Sequence, residues 1–141
     1  MSNLFAYGTL ICEDIFYSVA GIKLSSAPGV LAAYSRHSIK GQVYPGILPS
    51  KGHTVHGIVY FDVSDLLWQR LDRFEGEMYE RRSVMVHCAD SKKISACTYV
   101  VRPQFRDQLE QDDWDLQHFL AVGRKIFQES FSGYTTLHEN K

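Results

Sequence analysis

Glu75 is the residue whose type and surroundings best suit proton-transfer chemistry. It lies in the run Leu71-Asp72-Arg73-Phe74-Glu75-Gly76. Leu67, Leu71 and Phe74 recur at i, i+4 and i+7, so Asp65 to Phe74 is predicted to be a short helix with one apolar stripe. Ser64 suits its N-cap and Asp65 the positive end of its dipole. Gly76 is the expected stop, since glycine takes the left-handed conformation at little steric cost. Glu75 then lies in the last turn, where unpaired carbonyls disfavour a carboxylate by roughly 0.3–1 kcal/mol. Burial adds to that, and both effects raise a carboxyl pKa toward the range a general acid–base needs. The other reading of the same position is a solvated glutamate at a helix end.

A second group able to do chemistry sits near the start. Leu4-Phe5-Ala6-Tyr7 reads as a first strand that ends at Gly8 and feeds a turn, Gly8-Thr9-Leu10. Ile11, Ile15, Phe16 and Val19 then make a helical stripe, closed by Gly21. A strand, a glycine turn and a helix in succession offer backbone N–H groups that can hold an anion, although the same pattern also serves as a plain tight connection. GxGxxG and Walker A patterns are absent. Nucleophilic catalysis has less to recommend it. Cys12 stands near a helix start, where the dipole lowers a thiol pKa, but no histidine is placed by a recognisable spacing and no GxSxG elbow occurs. No metal site is read either, because His53 and His56 fall on opposite faces of a strand and HExxH is missing.

The remaining elements must carry these groups. Pro28 to Gly41 is ambiguous, with Val30, Ala32 and Tyr34 alternating as in a strand. Tyr44-Pro45-Gly46-Ile47-Leu48-Pro49 is expected to be an irregular loop that folds over the body or lines a cleft, since two prolines and a glycine oppose regular structure. His53 to Val63 is a strand with apolar residues on both faces, and Gly57 within it marks a bulge or a close approach. Tyr79 to Cys88 and Ile94 to Val101 form the clearest hairpin. Gln104 to Asp113 is polar and reads as a surface loop. Asp112 or Asp113 is the expected cap of a last amphipathic helix, Trp114 to Phe131, with Leu116, Phe119, Leu120, Gly123 and Phe127 on its stripe and Gly133 at its end. These elements make a single α+β domain, mostly antiparallel, over residues 1–133, followed by a loose C-terminal tail at 134–141.

The totals exclude several roles. A chain of 141 residues, 45% hydrophobic and 13% aromatic, can bury a core of ordinary size. A formal net charge of −1 with no basic run argues against nucleic-acid or membrane-surface partners. No apolar run is long enough to span a bilayer, and the first ten residues do not read as a secretory leader. Cys12, Cys88 and Cys97 cannot all pair, which fits a reducing cytoplasm. Oligomeric state is not legible.

One carboxyl and one anion-receiving turn suit a substrate that carries its own nucleophile. When an amine of the substrate attacks the substrate's own amide, the protein has only to position it and move protons. Positioning can contribute about 7–11 kcal/mol and acid–base help about 10²–10⁴-fold. At this point the residues resemble a family. Tyr7-Gly8-Thr9-Leu10, Tyr44-Pro45-Gly46, Gly57-x-Val59-Tyr60 and Leu71-Asp72-x-x-Glu75-Gly76-x-x-Tyr79-x-Arg81, in that order, are similar to the γ-glutamylcyclotransferase-like superfamily, in its AIG2-like and γ-glutamylamine cyclotransferase branch.

The resemblance implies a small, mostly antiparallel β-barrel with flanking helices. It implies that Tyr7, Gly8, Thr9 and Leu10 hold a γ-glutamyl α-carboxylate through backbone amides, with Glu75 as acid and base. The implied reaction releases 5-oxoproline and a free amine or amino acid, with no cofactor or metal. Tyr79 and Arg81 share a strand face and either line the cleft mouth or serve the structure; Tyr44 is a further candidate for substrate contact. Two other readings use the same barrel: a non-catalytic module for a small carboxylated ligand, and an enzyme that removes a γ-glutamyl protecting group from a biosynthetic intermediate.

Overall fold

The computed structural model describes residues 2–89, 92–125 and 127. Alternation along the strands sorts the side chains into two cores. From β1 (Ser2–Ala6), Phe5 joins one apolar cluster while Leu4 and Ala6 join the other. From β5 (Lys93–Val101), Ala96 and Val100 join the first, and Tyr99 and Val101 the second. Strands with two buried faces of this kind suit a closed sheet that is filled inside and covered outside. The five strands close in the order β1-β3-β2-β4-β5. All neighbours are antiparallel except β1 and β5, which meet in parallel at Leu4 and Cys97.

The outer cluster lies under two helices. α1 (Glu13–Ala20) buries Ile15, Phe16, Val19 and Ala20. α2 (Asp65–Glu75) buries Leu67, Trp68, Leu71 and Phe74, the stripe expected from its spacing together with Trp68. Ser64 caps α2, accepting a hydrogen bond from the Leu67 N–H at 3.2 Å. Gly76 closes it, but at φ 80 and ψ −165 its backbone lies in an extended region open almost only to glycine, not in the left-handed helical region expected. That conformation turns the chain sharply from Glu75 into β4 (Tyr79–Cys88). The β4–β5 hairpin forms in register, Tyr79 opposite Val101 and His87 opposite Lys93.

Several further expectations need correction. Pro45 to Pro49 is not a loop but the start of β3 (Pro45–Val63), which pairs along β2 (Ser26–Ser38). The prolines are accommodated because Pro45 is the first residue of the strand and Pro49 lies opposite Tyr34, beside the register shift between Ala32 and Tyr34. At such an irregularity the missing N–H interrupts no regular ladder. The cap of the last helix is neither Asp112 nor Asp113. Asp113 is drawn off by Arg36, 2.8 Å away, and Asp115 caps α3 (Leu116–His118) by accepting from the Gln117 and His118 N–H groups. Beyond α3 the helix widens into a π-type turn, Phe119–Gly123, which buries Phe119 and Gly123. Phe127 is buried too, whereas Leu120, placed on the stripe by its spacing, is 43% exposed because the widened turn shifts the register. The predicted end of that helix at Gly133 and the tail at 134–141 lie outside the described residues.

The stretch 104–113 is also more than an exposed loop. It opens with a 3₁₀ turn, Pro103–Gln108, and then bonds to the end of β2: the Lys40 N–H donates to the Gln108 carbonyl, and the Glu110 N–H to that of Ser38.

Candidate active site

Glu75 lies on the wall of a cavity between the chain's first turn and the C-terminal end of α2. The cavity is lined by the whole Tyr7-Gly8-Thr9-Leu10 turn, Tyr44 and Pro45 at the start of β3, Phe74 and Glu75, Tyr79, Tyr99 and Phe127. Its volume is about 30 Å³, room for about one or two waters. A larger ligand enters only as a wall gives way.

Burial, and after it the charge of Asp72 one turn back, pushes the Glu75 carboxyl up from its ordinary 4.5 to about 8. Burial leads here, whereas the sequence reading began from the helix-end field. Three tyrosines surround the group. The Tyr7, Tyr79 and Tyr99 hydroxyls all have raised pKa values, from burial first and with Glu75 among the other causes. They keep their protons and donate: Tyr7 to the Tyr99 carbonyl, Tyr79 to the Pro45 carbonyl, and Tyr99 to the Asp72 carboxylate, each at 2.7 Å. Tyr44 is raised in the same way, by burial and then by Glu75.

The first turn is held by its carbonyls. Arg36 donates to the Tyr7 carbonyl at 2.8 Å, and Tyr60 to that of Leu10 at 2.7 Å. The Gly8 and Thr9 carbonyls accept from Ile11 and Cys12, closing a 3₁₀ turn at Thr9–Ile11. Every carbonyl from Tyr7 to Leu10 thus has a partner. The Thr9 and Leu10 N–H groups head the turn, where no helical carbonyl lies one turn back to accept them. Gly8 also makes room: a Cβ there would come 2.7 Å from the Pro45 ring.

The structure therefore brings Tyr7, Gly8, Thr9, Leu10, Tyr44, Glu75 and Tyr79 to one cavity. It does not bring Arg81 there. Arg81 packs over the Trp68 ring, 4.6 Å from its centre, with Nη1 3.4 Å from the Asp72 carboxylate. Sequence reasoning missed Tyr99, Asp72 and Arg36. Asp72 lay inside the quoted motif, one helical turn before Glu75, which was signal enough. Arg36 lay in the stretch whose strand character was ambiguous.

Cys12 is further from nucleophile chemistry than its helix-start position suggests. Burial raises its pKa, and the nearby Arg124 only partly offsets this. Among the described residues no cluster of His, Cys, Asp and Glu could hold a metal ion, and no helix is long and apolar enough to cross a membrane.

A five-stranded mixed barrel flanked by helices, with a carboxyl-bearing cavity where its first turn meets α2, defines an α+β fold class with solved relatives. Over residues 4–116 the chain matches the family described as gamma-glutamyl cyclotransferase, AIG2-like, and it belongs to that family. AIG2-like protein D of Arabidopsis thaliana is 33% identical over 138 residues, covering 92% of this chain and 91% of that protein. The solution structure of an Arabidopsis thaliana protein superposes with a TM-score of 0.71 at 28% identity, covering 92% of this chain and 87% of that one. A structure described as gamma-glutamyl cyclotransferase gives a TM-score of 0.65 at 19% identity, covering 97% of this chain and 86% of that one, which speaks for the fold.

Proposed function

We propose that the protein is a cofactor-independent γ-glutamyl cyclotransferase that releases 5-oxoproline and a free amine or amino acid from a γ-glutamyl compound. The observation that carries this reading is the Glu75 carboxyl, buried, raised to about 8, and lining the same cavity as the Tyr7–Leu10 turn.

The chemistry follows from those groups. Amides of the Gly8–Leu10 turn hold the α-carboxylate of the γ-glutamyl group. Tyr7 contributes its backbone to that turn, and Tyr44 and Tyr79 shape the walls. The substrate's α-ammonium gives one proton to the Glu75 carboxylate. The freed amine attacks the γ-carbonyl carbon, and a five-membered ring closes. The bond from that carbon to the leaving nitrogen breaks as Glu75 returns the proton to it, and the ring nitrogen's second proton passes to the departing amine, which leaves as an ammonium. A group near 8 suits both halves of this exchange, since it gives up and regains a proton at little cost near neutral pH. A module that only bound a carboxylate would gain nothing from an ionisable carboxyl beside it. Removal of a γ-glutamyl protecting group would use the same residues. The free thiols of Cys12, Cys88 and Cys97 fit a reducing, cytoplasmic setting.

The test is a panel of γ-glutamyl amines and γ-glutamyl amino acids assayed for 5-oxoproline, with wild type beside Glu75→Gln. Wild type is expected to turn over at least one compound, and the variant to lose roughly 10²-fold or more. Equal turnover by the two proteins removes Glu75 from the mechanism.

A further inference from the structure

Arg36 stands on β2, outside the lining of the Glu75 cavity, yet one of its nitrogens reaches the turn that forms the wall. Nη1 donates to the Tyr7 carbonyl at 2.8 Å. Nε and Nη2 donate to the Asp113 carboxylate at 2.8 and 3.3 Å. The guanidinium carbon lies 5.4 Å from the centre of the Trp114 ring. Trp114 is itself fixed, since it is buried and its indole N–H donates to the Val43 carbonyl at 2.8 Å. Asp113 accepts from the Trp114 N–H at 2.6 Å, and its backbone carbonyl accepts from the Ser38 hydroxyl at 3.3 Å.

A guanidinium is planar. With two nitrogens held by Asp113 and one face held over Trp114, the direction of the third nitrogen is set, and it is aimed at the Tyr7 carbonyl. An ion pair alone does not account for this. The Asp113 side chain is 64% exposed, and a pair with so wet a partner contributes little to stability.

The contact with the turn has a chemical consequence. The Tyr7 carbonyl and the Gly8 N–H belong to one conjugated peptide group. A cationic donor on the oxygen draws electron density from the nitrogen, so the N–H becomes a stronger donor in its turn. Gly8 lines the cavity, and in the cyclotransferase reading its N–H is among those that hold the α-carboxylate. We propose that Arg36 is a positioning residue for that carboxylate: through the Tyr7 carbonyl it fixes and polarises the Tyr7–Gly8 peptide, and so sets how tightly the γ-glutamyl group is held. The inference rests on the cyclotransferase reading and adds to it a residue that acts without touching the substrate.

The α-carboxylate keeps its charge from the bound substrate to ring closure. A stronger donor to it therefore stabilises both states alike, which lowers KM and leaves kcat unchanged. Loss of a mere strut acts differently: a loosened turn misplaces the substrate's amine relative to Glu75, and kcat falls.

Arg36→Met separates the two roles. It keeps an apolar stem against Trp114, removes the donors and leaves Asp113 facing water. With the best γ-glutamyl compound of the panel, KM is expected to rise roughly tenfold, about the effect of one charge-assisted hydrogen bond, with kcat changed less than about twofold. The Gly8 amide nitrogen-15 resonance is expected to move upfield as its peptide loses the cationic donor. Asp113→Asn is the second variant and serves also where Arg36→Met does not fold. It leaves Nη1 on the Tyr7 carbonyl and removes the charge that offsets the guanidinium, so its KM is expected at or below that of wild type. An unchanged KM or an unmoved Gly8 resonance in Arg36→Met overturns the inference and leaves the cyclotransferase reading intact. So does a loss carried mainly by kcat, or a raised KM in Asp113→Asn. If no compound of the panel is turned over, the cyclotransferase reading falls, and binding of 5-oxoproline, followed by the Gly8 and Thr9 amide shifts, decides for Arg36. Binding weakened roughly tenfold in Arg36→Met keeps its role at the turn, and equal or absent binding removes it.

Discussion

Glu75 carries its unusual proton affinity because the fold takes it out of water and sets Asp72 one turn behind it. That state can be read without an assay. A carbon-13 NMR titration of the Glu75 side-chain carboxyl is expected to show a midpoint near 8, well above the ordinary 4.5. Replacing Asp72 with asparagine removes one of the two causes, so the midpoint is expected to fall toward 4.5 while burial keeps it raised. At this scale the sequence was informative about Glu75 and the Tyr7–Leu10 turn, because helix spacing and a glycine stop locate both. Tyr99 and Arg36 were not legible. Their roles depend on which strands are neighbours, and one strand's alternation does not reveal that.

At the scale of elements, the pattern read most clearly where one face is buried. α2 and the β4–β5 hairpin formed at the expected residues because their apolar spacing meets no competing signal. The prolines at 45 and 49 misled because their backbone cost depends on the ladder around them, and a strand start and a register shift remove most of it. Gly57 was expected to mark a bulge or close approach, and the close approach is there. A Cβ at that position would lie 2.3 Å from the Ala6 carbonyl oxygen and 2.9 Å from the Phe5 ring. Backbone at that distance cannot swing aside as a side chain can. Gly57→Ala is expected to destabilise the protein by about 1–3 kcal/mol, read as a lower urea midpoint with little change in slope. A midpoint equal to wild type would mean that β1 and β3 are not packed this closely.

Over the whole molecule, burying a carboxyl ties stability to pH. Glu75 has a folded-state pKa above its unfolded one, so its contribution is most favourable below about 4.5, where both states are protonated. Between there and about 8 the unfolded chain releases the proton and the folded chain keeps it, so stability falls as pH rises. Glu75→Gln removes this term. The variant is expected to gain on wild type between pH 4.5 and 9, by roughly 2–4 kcal/mol, somewhat less than the full shift implies because Glu75 is only half-buried as a residue. Chemical denaturation at several pH values checks this, and a constant difference between the two proteins would contradict it. The barrel itself was foreseen as a class, since the resemblance implied it. Its closure by a parallel contact of β1 with β5 was not legible, because nothing in either strand names its partner. Phe127 was expected on the stripe of the last helix, but its place in the cavity wall was not, as that depends on how the helix packs back on the barrel.

The most direct test of the central claim is 5-oxoproline release followed from pH 5 to pH 10 with the best substrate of the panel, wild type beside Glu75→Gln. Because the carboxylate is the form that accepts the ammonium's proton, wild-type kcat/KM is expected to rise with pH to a bend near 8, the value set by Glu75, with the variant at least ~10²-fold lower across the range. A variant as fast as wild type with the same bend would contradict the account, because the proton would then be moving through some other group.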